Sequence, residues 1–185
     1  MTAAAPSKTQ RVLRKSALYQ HPIGVVWAAL TDGEALAQWL MPNDFAPEEG
    51  REFQFRVDPM LSFTGLVQCR VLELDPPRRM VWSWVSTARP GKRQPPPMRL
   101  EWTLAEEAGG ARLTLTQTGL EGQPFLYNIM MSMGWGTMLK RWLPRVLDAF
   151  QRSGESPDLW VYRRLEKAPN RGHHKTRTIP ATFHK

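Results

Sequence analysis

Cysteine is nearly absent: Cys69 stands alone in 185 residues, which rules out an internal disulfide framework and suits a reducing compartment. Long apolar runs are missing too. The longest candidate, Ile129 to Leu139, is interrupted by Ser132, Gly134, Gly136 and Thr137 and falls short of the roughly 18 residues that a membrane helix needs. Met1 to Gln10 holds no apolar stretch of the kind a secretory signal requires. These absences point to a cytoplasmic chain with no membrane span. Histidine is scarce where chemistry would use it. His21 is the one histidine in the body of the chain, while His173, His174 and His184 fall near the end. A Ser-His-Asp or Cys-His arrangement would have to run through His21, which directly precedes Pro22 and reads as a polar boundary residue. No cysteine or carboxylate cluster completes a metal site around the tandem histidines. Gly134-Trp135-Gly136 lacks the third glycine or the Lys-Ser/Thr of a phosphate loop. No cofactor, metal or catalytic residue is therefore expected, and Cys69, alternating with Val67 and Val71, reads as a small buried residue.

Basic residues are in excess, but unevenly. The net charge is +8, of which residues 1–20 contribute +4 and residues 163–185 contribute +6, leaving the 142 residues between them at −2. A folded nucleic-acid-binding domain would carry its charge on the body, so nucleic acid is not the expected partner. The basic end reads as a solvated terminus. It could also make weak, salt-sensitive polyanion contacts through Arg163, Arg164, Lys167, Arg171, Lys175 and Arg177, or approach an anionic membrane surface.

What is present is periodicity. From His21 to Pro42 the spacing predicts two short helices. Ile23, Val26, Trp27 and Leu30 form one apolar stripe, Thr31 and Glu34 stand at capping-box spacing, and Ala35, Leu36, Trp39 and Leu40 give the second helix its buried face. A weak strand pattern precedes them, from Arg11 to Tyr19. After Pro42 the period changes to 2. Phe53, Phe55 and Val57 alternate with polar residues. Ser62 to Asp75 reads as a long strand bent near Gly65, and Arg79 to Val85 places Met80, Trp82 and Trp84 on one side. Met98, Leu100, Trp102 and Leu104 follow a Pro/Gly/Arg-rich loop, Gly109-Gly110 makes a turn, and Leu113, Leu115 and Gln117 share a face. A closing helix is predicted from Ser132 or Met133 to Arg152, with Trp135, Met138 or Leu139, Trp142, Val146 and Phe150 as its stripe and a kink at Pro144. The fold class is α+β: a curved antiparallel sheet with two short helices and a long C-terminal helix, a helix-grip that encloses a cavity.

Several segments resemble a known family. Val26-Trp27-Ala28-Ala29-Leu30-Thr31-Asp32 with Ala37-Gln38-Trp39-Leu40 is similar to the opening motif of START-like (SRPBCC) proteins. More narrowly, Leu72 to Trp84, Arg112 to Leu120, and Gly134-Trp135-Gly136 with Leu139 and Trp142 resemble segments of the family named after the activator of the heat-shock protein 90 ATPase. The resemblance runs from about Arg11 to Phe150 and implies a hydrophobic cavity. The eukaryotic co-chaperone of this family carries a separate N-terminal domain for which nothing before Arg11 leaves room, so chaperone activation is not carried over. The expected organisation is a flexible N-terminus at 1–10, a START-like domain at 11–153, and an extension at 154–185 with a basic, mobile tail.

The functional expectation is binding of a small hydrophobic or amphipathic molecule. The residues expected to line its cavity are Trp39, Met41, Phe53, Phe55, Trp82, Trp84, Leu100, Trp102, Leu115, Gln117, Met131, Trp135 and Leu139, with Met130, Met131, Met133 and Met138 near the mouth. Methionine repacks around varied ligands, and tryptophan offers area with one N–H donor. Gln117 is the one polar side chain in that register, and an amide orients a ligand but is a poor general acid or base. Two alternatives stay open: a cyclase- or dehydratase-type enzyme, which needs converging ionisable groups, and a co-chaperone-like interaction module. A homodimer is compatible with either.

Overall fold

Between Pro42 and Thr118 the period-2 pattern becomes five consecutive strands. The computed structural model describes residues 11–59 and 62–153, with side chains up to residue 148, so the expectations for residues 1–10 and 154–185 fall outside it. After β1 (Leu13–Tyr19) come α1 (Ile23–Thr31) and α2 (Gly33–Trp39). Then follow β2 (Glu52–Arg56), β3 (Phe63–Asp75), β4 (Arg79–Ala88), β5 (Met98–Glu107) and β6 (Gly110–Thr118). All six strands form one antiparallel sheet in the order β1-β6-β5-β4-β3-β2. α3 (Phe125–Thr137), a π turn (Met138–Trp142) and α4 (Leu143–Ser153) complete the helix-grip. Among the described residues, no helix is long and apolar enough to cross a membrane.

Alternation decides which face of each strand is buried. Phe53 and Phe55, Met80, Trp82 and Trp84, Met98, Leu100, Trp102 and Leu104, and Leu113, Leu115 and Gln117 all point into the interior. β3 slips register between Phe63 and Val67 and again between Val71 and Glu73. Gly65 permits the first slip: its φ is +86°, and a Cβ there would lie 2.1 Å from the Val57 carbonyl oxygen.

The helix pair departs from expectation in two details. In α1 the buried face is Val25, Val26, Ala29 and Leu30, with Ile23 and Trp27 half-buried, so the stripe is rotated from the expected one. The cap between the helices is Asp32, whose carboxylate accepts a hydrogen bond from the Ala35 N–H at 2.8 Å. Thr31, the expected cap, instead donates its hydroxyl back to the Trp27 carbonyl at 2.9 Å. Thr31 still belongs to α1, so its backbone is helical, whereas a cap needs the extended φ and ψ that Asp32 has. Trp39 pins the two helices together through its indole N–H, which donates to the Ala29 carbonyl at 2.8 Å.

The closing helix begins at Phe125, seven residues before the expected Ser132, with Pro124 as its N-cap. Its first turns are hard to see in sequence because they bury little. Phe125 is 74% exposed and Met133 68%, so no core stripe marks them. Pro144 is accommodated by the π turn rather than by a simple break. The Leu143 N–H reaches back five residues to the Met138 carbonyl. One residue on, the same spacing sets position 144 opposite the Leu139 carbonyl, and proline has no N–H to offer. The Tyr19 hydroxyl takes that place, donating to the Leu139 oxygen at 2.6 Å. A loss in one helix is thus made good by the first strand.

Candidate functional site

The interior divides into a solid part and an open part. Where α1, α2 and α4 close down on the sheet, aromatic rings fill the space edge to face. Trp82 stands 5.4 Å from both Phe53 and Trp102, and Trp102 lies 6.1 Å from Trp39 and 5.5 Å from Trp135 between ring centroids. Gln117 belongs to this solid part. Its carbonyl accepts from the Trp135 indole at 2.9 Å and its amide donates to Met98 Sδ at 3.1 Å, so this buried polar side chain joins β6 to α3 and β5.

Beyond Trp84 and Trp135 the layers separate and leave a cavity of about 740 Å³. One wall is α3, through Leu126, Tyr127, Met130, Met131, Gly134 and Trp135, continued by Met138 in the π turn. The opposite wall is Val67 of β3 with Trp84, Ser86, Thr87 and Ala88 of β4. Leu40 and Met41 from the end of α2 close one side; the β4–β5 loop (residues 93–96) and the β6–α3 connection (residues 121–124) form the rim. Gln94 ties the loop to β4, accepting from the Ala88 N–H at 3.0 Å and donating to the Ser86 carbonyl at 2.6 Å. Gln123 ties the two rim segments together by donating to the Pro96 carbonyl at 3.1 Å.

Of the thirteen residues expected to line a cavity, Met41, Trp84, Met131 and Trp135 do so. Trp39, Phe53, Phe55, Trp82, Leu100, Trp102, Leu115, Gln117 and Leu139 sit instead in the close-packed interior. Strand register puts seven of these on the inner face, as observed, while Trp39 and Leu139 come from the helical layer. Register does not say where the opposing layer touches, and over these residues the helices do touch. Met130 and Met138 of the expected mouth line the cavity, whereas Met133 faces outward.

Sequence reasoning missed the wall's polar groups. Ser86 follows Trp82 and Trp84 at the same two-residue spacing, so its facing is legible, but Tyr127 lies in a stretch whose sequence carries no buried helical stripe. Their hydroxyls are 3.1 Å apart. Burial pushes the Tyr127 phenol above its ordinary pKa, while Ser86 and the nearby Trp84 indole pull it partly back, so it is a neutral hydroxyl at physiological pH. The titratable residues in the lining are Tyr127, Arg93 and Glu121, the last two exposed at the rim.

The remaining candidates lie elsewhere. His21 is buried at the β1–α1 junction, 3.6 Å from Asp148, and does not reach the cavity. Cys69 is buried in the core; burial, and next the Asp44 charge, push its thiol up and away from the reactive thiolate. Among the described residues, no cluster of three or more His, Cys, Asp or Glu is placed to hold a metal.

Known proteins share this architecture. The sequence model described as "Activator of Hsp90 ATPase homolog 1-like protein" matches residues 20–148. The crystal structure of MLL2253 from Mesorhizobium loti is similar with a TM-score of 0.66 and 26% identity, over 75% of this chain and 97% of that one. NE0264 from Nitrosomonas europaea superposes with a TM-score of 0.59 at 24% identity, covering 78% of this chain and 97% of its own. CalU16 from Micromonospora echinospora does so at 0.54 and 24%, over 83% and 89%. No curated protein sequence matches the chain.

Proposed function

We propose, from the premise that the chain belongs to the activator of Hsp90 ATPase homolog 1-like family of SRPBCC folds, that it binds a small amphipathic molecule in the cavity between α3 and strands β3 and β4. The carrying observation is the cavity itself. At about 740 Å³ it falls in the range of roughly 300–1,000 Å³ typical of small-molecule sites, and its wall is predominantly apolar, with polar side chains from β4, α3 and the rim. Its position supports the reading. Leu126, Met130, Arg93 and Gln94 combine lining positions with exposure, so α3 and the β4–β5 loop form the mouth through which a ligand enters.

Binding is favoured over catalysis because the deeper wall offers one titratable side chain, Tyr127, whereas acid–base chemistry of the cyclase or dehydratase kind uses two converging groups.

The test is a titration of a long-chain fatty acid, a flavonoid and an aromatic polyketide, read by tryptophan fluorescence and thermal stability. Gly134→Leu is the control. A Cβ on Gly134 meets nothing within 4 Å and Gly134 lines the cavity, so a larger side chain there starts from open space and takes up room in the site. A saturable one-to-one response lost in Gly134→Leu is expected. No saturable response from any class, or one unchanged in the variant, overturns the reading.

A further inference from the structure

Resting on that reading, we infer that the cavity's ligand is a neutral molecule carrying a hydrogen-bond-accepting oxygen, of the aryl-ketone type, and that Trp84, Ser86 and Tyr127 seat that oxygen. Three observations converge. Trp84 lines the cavity, is 3% exposed, and its indole N–H has no hydrogen-bond partner in the protein. An indole nitrogen can only donate, so the partner it lacks is an acceptor. Two residues along the same face of β4, Ser86 is 5% exposed and its hydroxyl stands 3.1 Å from that of Tyr127. Two paired hydroxyls satisfy one proton between them and leave the second free to donate outward. The wall therefore holds two neighbouring donors, the indole N–H just beneath its surface and the hydroxyl pair. The Trp84 indole lies close enough to the Tyr127 phenol to lower its pKa, so the two donors are neighbours on this wall.

Two further unpartnered atoms extend the pattern. Thr87 Oγ1 and Gln123 Oε1 are both buried without a hydrogen bond, and both residues line the cavity. Gln123 spends its amide N–H on the Pro96 carbonyl, so what remains is an acceptor, suited to a ligand hydroxyl or N–H nearer the rim. Buried polar groups in folded proteins are nearly always met by a protein group or an ordered water, and these have no protein partner. These lie in an otherwise apolar wall, so a ligand that matches them gains specificity where hydrocarbon alone gives none. Charge decides the remaining choice. The one cation in the lining, Arg93, is exposed at the rim, and none accompanies Trp84, Ser86 and Tyr127. An anionic head seated there would lose its hydration without a countercharge.

The experiment compares three probes on the full chain: benzophenone, its isostere 1,1-diphenylethylene in which the carbonyl oxygen becomes a methylene, and 4-benzoylbenzoate. Binding is read by tryptophan quenching, and the benzophenone carbonyl stretch by infrared difference spectroscopy. The expected result is roughly tenfold tighter binding of benzophenone than of the alkene, with weaker binding of the anion. Tyr127→Phe and Ser86→Ala should each reduce the ketone's advantage, leave the alkene's affinity unchanged, and shift the bound carbonyl stretch upward. Equal affinity for ketone and alkene overturns the oxygen seat while leaving the cavity reading intact. Tighter binding of the anion overturns the neutral class in favour of pairing with Arg93. Saturable binding of none of the three overturns the cavity reading and the seat together.

Discussion

Tyr19→Phe isolates the link between the first strand and the closing helix with the loss of one oxygen atom. The hydroxyl donates to the Leu139 carbonyl at 2.6 Å, and Leu139 is 1% exposed. Removing the donor leaves a buried carbonyl that water does not reach and that Pro144 cannot serve. An unsatisfied buried group of this kind costs about 1–3 kcal/mol, and a carbonyl with a second lone pair falls at the lower end, so we expect about 1–2 kcal/mol. For a domain of this size that lowers Tm by roughly 2–8 °C. Urea unfolding of the single variant measures the cost, and a double-mutant cycle identifies the cause. In a Pro144→Ala background the restored N–H can reach the freed carbonyl, so Tyr19→Phe should cost about 1 kcal/mol less there than in the natural sequence. The pH dependence gives a second reading. Burial pushes the Tyr19 phenol well above its ordinary value of about 10. Its contribution is complete below that pH, and as pH rises further the unfolded chain loses a proton that the folded one retains, so stability falls. Tyr19→Phe should flatten part of this alkaline limb. A Tyr19→Phe cost within about 0.3 kcal/mol of zero, or one identical in both backgrounds, refutes the reasoning.

Gly134→Ala should stabilise the protein. The residue lies inside α3 with free space at its Cβ, so replacing glycine there gains up to about 1 kcal/mol, seen as a higher urea midpoint, and a loss of stability would mean the site is not open. Trp39→Phe should cost about 1 kcal/mol more than Trp82→Phe in the same assay. Both rings are fully buried, but the Trp39 N–H donates to Ala29 while the Trp82 N–H has no partner to lose; equal costs would contradict this. Hydrogen bonds from Arg79 and then Arg99 hold the half-exposed Glu73 carboxyl below its ordinary pKa. Its contribution is present above the unfolded-state value and is lost as pH falls through the lower folded one, so Glu73→Gln should weaken the acid limb, more at low salt than at high. An NMR titration of Glu73 at or above its ordinary pKa would rule this out.

The fold was legible because it is written in two one-dimensional periods. Phe53 with Phe55 and Met80 with Trp82 and Trp84 declare a strand face wherever that face is buried, and strand succession through short turns leaves few topologies. The front of α3 was not legible, since Phe125, Leu126 and Met133 are exposed and no stripe distinguishes such a segment from a loop. The Asp32 cap was displaced from Thr31 by one residue, the difference between a helical and an extended φ and ψ. The cavity was the least legible feature. Trp82 and Trp84 occupy one face of one strand two residues apart, yet one lies in solid packing and the other on an open wall. What separates them is the distance to a helix that their own strand does not encode. Ser86 shares that face, while Tyr127 was hidden with the start of α3.

The most direct measurement is a crystal structure of the full chain saturated with the tightest-binding probe. Density for one molecule between α3 and β4, against Trp84, Tyr127 and Met131 with its oxygen turned toward Trp84 and Tyr127, is the predicted result. A probe found only on the outer surface, with Met130, Met131 and Met138 collapsed onto β4 and the space filled, would contradict it.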